Sequence, residues 1–393
     1  MDYSKILSKN VQSLKPSGIR RFFDILDEMD DVVSLTVGQP DFVTPWHIRE
    51  AGIESLEKGK TYYTSNSGLM ELREEMAKYL ERRFSLKYDP ASEIISTIGG
   101  SEAIDLAIRA VCDPGDEVII TSPCFVCYEP DVVMAGGVPV TVNTREEDNF
   151  KLTPEALRAA ITPRTKMLVL PFPNNPTGAI MTREDLEGIA AVLRGTDIVV
   201  LSDEIYAELT YGRKHVSIAA IEGMRERTIV VNGFSKAYAM TGWRMGYLAA
   251  PKELCRQMLK LHQFQIMCSP TVGQYAAIEA LRNGDDDIDY MKGEYNRRRT
   301  RIVKGLREMG LDCFEPEGAF YVFPNVGGFG MTSDKFCERL LYEKHVAIVP
   351  GNAFGECGEG FARISYAYSV DHINTALEKM AEFVEKLKSE RKG

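Results

Sequence analysis

The chain has 393 residues, of which 44% are hydrophobic and 26% charged, with a formal net charge of −10. That length allows about two domains and ample core, and the composition is ordinary for a soluble globular enzyme. The acidic balance and the lack of a basic stripe argue against nucleic-acid binding, and no apolar run reaches the roughly 20 residues that span a bilayer. The start, Met1-Asp2-Tyr3-Ser4-Lys5, has no signal-peptide pattern, so a cytoplasmic location is the expectation. Cys124 and Cys127 form one C-x-x-C with no second pair at zinc-ligand spacing. His47, His215, His262, His345 and His372 show no helix-spaced metal pair, so no metal is expected.

The elements follow in chain order. A strand over residues 93–97 leads into Ile98-Gly99-Gly100-Ser101-Glu102, and a helix with apolar spacing at Ala103, Ile104, Ala107, Ile108 and Val111 leads out. Glycines at a helix start expose backbone N–H groups, and the helix dipole favours an anion there. This is a phosphate cradle in principle, although many loops carry a Gly-Gly-Ser. A second strand, residues 166–170, runs into Pro171-Phe172-Pro173-Asn174-Asn175-Pro176-Thr177-Gly178, a rigid turn. The proline after Asn175 pushes its backbone away from helix. Its amide could then meet a cofactor ring oxygen. A plain loop explains the prolines and glycine, but nothing specific about Asn175.

Residues 197–202 form a short apolar run without alternation, the pattern of a buried parallel strand. The run ends in Asp203-Glu204-Ile205-Tyr206. An acid at that strand end points to the ligand crevice of an open α/β sheet. Asp203 could hold the ring nitrogen of pyridoxal phosphate, and Tyr206 could donate to its ring hydroxyl. Asp203 could equally cap the helix that follows.

Another strand, residues 228–232, runs straight into Gly233-Phe234-Ser235-Lys236 and on to Trp243-Arg244. Lysine amines condense with carbonyls and with pyridoxal phosphate once burial or a cationic neighbour lowers their pKa. Ser235 and Arg244 can both reach a phosphate, whose oxygens an arginine fork matches. Taken alone, Lys236 reads as well as a solvated surface residue. Further on, Asp285-Asp286-Asp287 after Asn283-Gly284 reads as a solvated turn. A long helix is predicted near residues 290–309, with Arg297, Arg298 and Arg299 on its surface. Residues 318–323 and 361–366 alternate like strands of a smaller sheet, and a helix is predicted around residues 373–387.

These clusters, in this order, resemble the class I/II aminotransferases of the fold-type I pyridoxal-phosphate family, from about Val33 to Ser365. The segment Ser235-Lys236 to Trp243-Arg244, the turn Asn174-Asn175-Pro176-Thr177-Gly178 and the strand end Asp203 to Tyr206 carry the resemblance. It implies an α/β fold. A large domain, residues 48–290, would hold a mostly parallel seven-stranded sheet covered by helices, and a smaller α+β domain would combine residues 1–47 with 291–393. It implies pyridoxal phosphate as cofactor and transfer of an amino group from an L-amino acid to a 2-oxo acid by a ping-pong route.

The resemblance also distributes roles. Lys236 would condense with the cofactor and shuttle the substrate's proton, and Asp203 would hold the ring nitrogen. Tyr206 and Asn175 would meet the ring hydroxyl, and Phe125 would stack on the ring. Gly100, Ser101, Glu102, Ser235 and Arg244 would form the phosphate end. Gly38, Asn175 and Arg363 would face the substrate, with Arg363 on its α-carboxylate. Tyr63, with Tyr62 competing, would reach the phosphate of a neighbouring subunit, which implies a homodimer with shared active sites. An aspartate or aromatic donor with 2-oxoglutarate as acceptor is favoured. Ser101 stands where some aspartate enzymes of similar pattern carry a lysine for the distal carboxylate. Phe125, Tyr63 and the small Cys124 would tolerate an aromatic side chain, and Cys124 and Cys127 would line the pocket or pack beside it. A carbon–sulfur lyase would begin from the same lysine and stays open. A more remote alternative is a regulatory protein that binds the cofactor without turnover.

Overall fold

The computed structural model describes residues 1–14, 29 and 31–391. Its main element is a seven-stranded sheet made of β2 (Ile94–Ile98), β3 (Glu117–Ser122), β4 (Val138–Asn143), β5 (Thr165–Leu170), β6 (Val199–Asp203), β7 (Thr228–Gly233) and β8 (Met245–Ala249), in the order β2-β8-β7-β6-β5-β3-β4. The chain alternates strand and helix through this region, as expected, and helices cover both faces. Buried on both sides, β3, β6 and β7 can be apolar runs without alternation. The edge strand β4 is half exposed and does alternate. Only β8 runs against its neighbours, antiparallel to β2 and β7. The loops after β2, β5, β6 and β7 therefore emerge at one end of the sheet, where open α/β sheets bind ligands.

A second core gathers around two small sheets. β1 (Val33–Ser34) pairs in parallel with β10 (Val346–Ala347), while β12 (Ala362–Ser365) runs antiparallel between β11 (Val349–Pro350) and β9 (Tyr321–Val322). The helices Asp285–Glu308, Ser333–Lys344 and Val370–Glu390 supply apolar faces to this core. Tyr206, Leu209 and Tyr211, which follow β6, also insert into it. Of the N-terminal piece predicted for the smaller domain, residues 15–28 and 30 lie outside the described residues.

Two expectations fail here. The run Asp285-Asp286-Asp287 is the first turn of the long helix and not a solvated turn. Carboxylates there complement the positive end of the helix dipole. Asp285 also pairs with Arg82 at 2.8 Å and Asp287 with the His47 ring at 2.9 Å. Arg298 is buried and not on the helix surface. Its Nη1 donates to Asp41 at 2.7 Å, and its guanidinium lies over the Phe42 ring at 5.0 Å.

One close approach fixes the mouth of the sheet. Gly246 on β8 pairs with Thr97, and a Cβ there would stand 2.4 Å from the carbonyl carbon of Gly99. The obstacle is backbone and cannot swing aside. Gly246→Ala is expected to cost about 3 kcal/mol, since overpacking of this kind displaces main chain. A thermal scan should show the midpoint lowered by at least about 3 °C, and an unchanged midpoint would contradict the packing described.

Candidate active site

A cavity of about 460 Å³ opens where β5, β6 and β7 end. Lys236 reaches it from the short helix Phe234–Ala237, which begins directly after β7. Phe234, fully buried, anchors that turn and leaves the lysine facing the opposite way. The Lys236 ammonium donates to the carbonyl oxygen of Gly38 at 2.6 Å and sits 5.7 Å and 5.8 Å from the ring centres of Tyr206 and Phe320. Burial, followed by the positive charges of Arg363 and Arg244, pushes its pKa down to about 8, against an opposing pull from Asp203. An ammonium loses hydration in such a site and meets like charge, so the neutral amine gains.

Asp203 is the last residue of β6 and is buried in the cavity wall. One carboxylate oxygen accepts from the Tyr128 hydroxyl at 2.7 Å, and the other accepts from the Ile205 N–H at 3.1 Å. No helix follows for Asp203 to cap; residues 205–208 form a turn that the second bond closes, so this side chain both supports the turn and faces the cavity. Burial raises its pKa, although both hydrogen bonds act in the other direction. A cationic ring N–H would suit such a carboxylate.

Arg363, on β12, crosses to the same cavity. Its Nη1 donates to Asn175 Oδ1 at 3.1 Å and its Nη2 to the Thr36 carbonyl at 2.5 Å. The rings of Tyr321 and Phe354 lie 4.6 Å and 4.7 Å from its guanidinium carbon. Its buried Nε has no partner among the described residues and could serve a carboxylate. The hydroxyls of Tyr206 and Tyr321 are 2.8 Å apart. Gly38 is held tightly beneath them, since a Cβ there would stand 2.2 Å from the Tyr321 hydroxyl oxygen.

At the far end, Gly100, Ser101, Ser235, Thr241 and Arg244 line the cavity. Gly99 has φ of +68°, and a Cβ on it would lie 2.5 Å from Arg244 Nη2. The guanidinium therefore lies directly over the glycine turn at the start of helix Gly99–Val111. Free N–H groups, a serine and an arginine converge there, which suits a phosphate. Phe125 stands in the wall, edge-on to Tyr128 at 6.3 Å.

The structure thus brings together Gly38, Gly100, Ser101, Phe125, Asn175, Asp203, Tyr206, Ser235, Lys236, Arg244 and Arg363. One expected residue is absent from the cavity wall. The Glu102 carboxylate is not aimed at the phosphate end, because Ile98 and His262 hold it elsewhere. Tyr63 is 77% exposed and Tyr62 55%, and neither lines the cavity of its own chain. Cys124 is buried and Cys127 half-buried, and both pack in the apolar cluster beside Phe125 without lining the cavity. Tyr128, Tyr321, Thr36 and Phe354 were not singled out by sequence. Tyr128 lies three residues after Phe125, at the start of the helix Tyr128–Met134.

The aminotransferase class I and II family model matches residues 30–380. YugH of Bacillus subtilis (strain 168), which carries an aminotransferase name, is 52% identical over 380 residues, covering 97% of this chain and 98% of that protein. A protein of the same strain named "Probable N-acetyl-LL-diaminopimelate aminotransferase" is 45% identical over 96% of each chain. The solved structure of an aromatic aminotransferase from Pyrococcus horikoshii OT3 matches with a TM-score of 0.89 and 44% identity, over 93% of this chain and 99% of that one.

The electrostatics of the amine can be read directly. In the cofactor-free protein, Lys236 should react with a small aldehyde at a rate that rises with pH through a midpoint of about 8, as the proton leaves. Arg363→Gln removes a positive neighbour and should move that midpoint upward. Mass-spectrometric labelling across pH checks both, and a midpoint at the ordinary lysine value would contradict the burial described.

Proposed function

The chain belongs to the class I and II aminotransferases, and from that membership we propose that it transfers the amino group of an aromatic amino acid or aspartate to a 2-oxo acid such as 2-oxoglutarate. The observation that carries this reading is the convergence of Lys236, Asp203 and Arg363 on one cavity, with a phosphate-sized cradle at its end.

The residues fit pyridoxal phosphate. Lys236 offers an amine close to neutrality, Asp203 a buried carboxylate for the ring nitrogen, and Gly100, Ser101, Ser235 and Arg244 a place for the phosphate. Phe125 offers its ring to one face, and Asn175 with Tyr206 would meet the ring hydroxyl. When bound, the cofactor supplies the carbonyl that takes up the amino group and the ring that stores the electrons left by the α-proton.

The protein's own part is positioning and proton transfer. Arg363 would hold the substrate's α-carboxylate through parallel hydrogen bonds, which fixes the α-carbon. Lys236 Nζ, released from the Gly38 carbonyl, would then take the α-proton. A general base works best with a pKa near the working pH, and burial with two guanidinium neighbours brings this amine there. Tyr206, Tyr321 and Arg363 are themselves buried and form a closed side of the cavity.

Donor preference follows from charge. Among the described residues the cavity cations are Lys236, Arg244 and Arg363, and each has a role in this scheme. An aromatic side chain against Val37, Ile104 and Phe125 needs no further charge. A distal carboxylate would have to meet neutral donors such as Ser101 and Gln39, or groups from a second subunit. We also infer a cytoplasmic homodimer. Tyr63, Val43 and Trp46 are all exposed, and Val43 shares a surface recess with Arg244; a second copy would cover them.

A donor screen with 2-oxoglutarate tests the proposal. Aromatic donors should give the highest kcat/KM, and Arg363→Gln should lower kcat/KM about 10²-fold through lost hydrogen bonds to a charged group. Pyruvate and ammonia formed from a sulfur-containing amino acid without any acceptor would instead favour the lyase.

A further inference from the structure

The carboxylate of Glu102 poses a physical problem. It stands in the first turn of helix Gly99–Val111, the turn whose N–H groups would receive the cofactor phosphate. A carboxylate in that position is itself an anion, and it could fold back onto the same donors. The structure diverts it. One oxygen accepts from the N–H of Ile98, the residue before the helix, at 2.6 Å. The other meets Nδ1 of His262 at 2.8 Å.

His262 belongs to a different helix, Lys252–Gln265, and its side chain is completely buried. A carboxylate only accepts, so Nδ1 carries the proton that bridges them. Nε2 is buried and has no partner among the described residues. The neutral tautomer with its proton on Nδ1 therefore fits, because a second N–H there would be desolvated without compensation. The ring holds the carboxylate by geometry and leaves its charge in place. Glu102 takes the outermost donor, Ile98 N–H, while Gly100 and Ser101, whose first-turn N–H groups have no carbonyl one turn back within the helix, line the cavity with Arg244.

We propose that His262 is a positioning residue, a clamp on the Glu102 carboxylate that keeps the first turn of this helix open to the cofactor's phosphate. The proposal rests on the reading of the cavity as a pyridoxal-phosphate site. It makes the clamp matter for the phosphate alone and not for the ring.

Equilibrium binding of pyridoxal phosphate and of pyridoxal to the cofactor-free protein, followed by absorbance, tests it. The unaltered protein should strongly prefer the phosphorylated form. His262→Leu frees the carboxylate and should weaken pyridoxal phosphate binding about tenfold while leaving pyridoxal binding unchanged. Glu102→Ala, alone or with His262→Leu, leaves no carboxylate to fold back and should keep the preference within about threefold. If His262→Leu does not fold, His262→Ala carries the same expectation. In the histidine variant, equal loss for both ligands, or no loss for either, would overturn the clamp, and so would a loss that persists once Glu102→Ala is added. An unaltered protein that cannot tell the two ligands apart would instead overturn the cofactor reading beneath it.

Discussion

A primary amine enclosed in protein beside two guanidinium groups cannot hold its proton as it would in water. That constraint on Lys236 organises the rest of the molecule. The sheet places the amine at the end of β7 and the Asp203 carboxylate at the end of the adjacent parallel strand β6, where Asp203 pairs with Val231. Parallel neighbours end side by side, so an acid and a base from segments some thirty residues apart meet at one mouth. The second core then brings Arg363 across from β12, and the N-terminal segment closes the cavity with Thr36 and Gly38.

The buried acid next to Asp203 is held by protein groups, which helps explain why the chemistry falls to Asp203. Glu204, next to Asp203, is also buried, but it points to the other face of the strand. There it accepts from Ser202 at 2.8 Å and Ser217 at 2.5 Å and pairs with His215 at 2.9 Å. Three of its roughly four acceptor sites are taken. Among the described residues Asp203 has only Tyr128 and Ile205, and it faces the cavity. The two acids are adjacent in sequence, and the pleat alone separates a structural carboxylate from one free to meet a ligand.

Much of this was legible in the chain because the informative signals are local. An apolar run followed by glycines, by an acid, or by a lysine marks the end of a parallel strand, and those strand ends form the cavity. The structural bounds of β2, β5, β6 and β7 differ from the expected ones by one or two residues. What the sequence did not reveal depends on contacts between distant segments. Nothing around Glu102 announces His262, which lies 160 residues away. Nothing around Arg298 announces Asp41, and a run of three aspartates gives no sign that a helix begins there. Tyr321 and Phe354 matter only because β9 and the turn after β11 bring them against Arg363.

The covalent partner of Lys236 decides what the cavity is for. The protein should be loaded with pyridoxal phosphate, reduced with borohydride, digested and mapped by mass spectrometry. The predicted result is one stable pyridoxyl adduct per chain, carried on Lys236. Labelling of some other lysine, or a protein that takes up no cofactor and stays colourless, would contradict it.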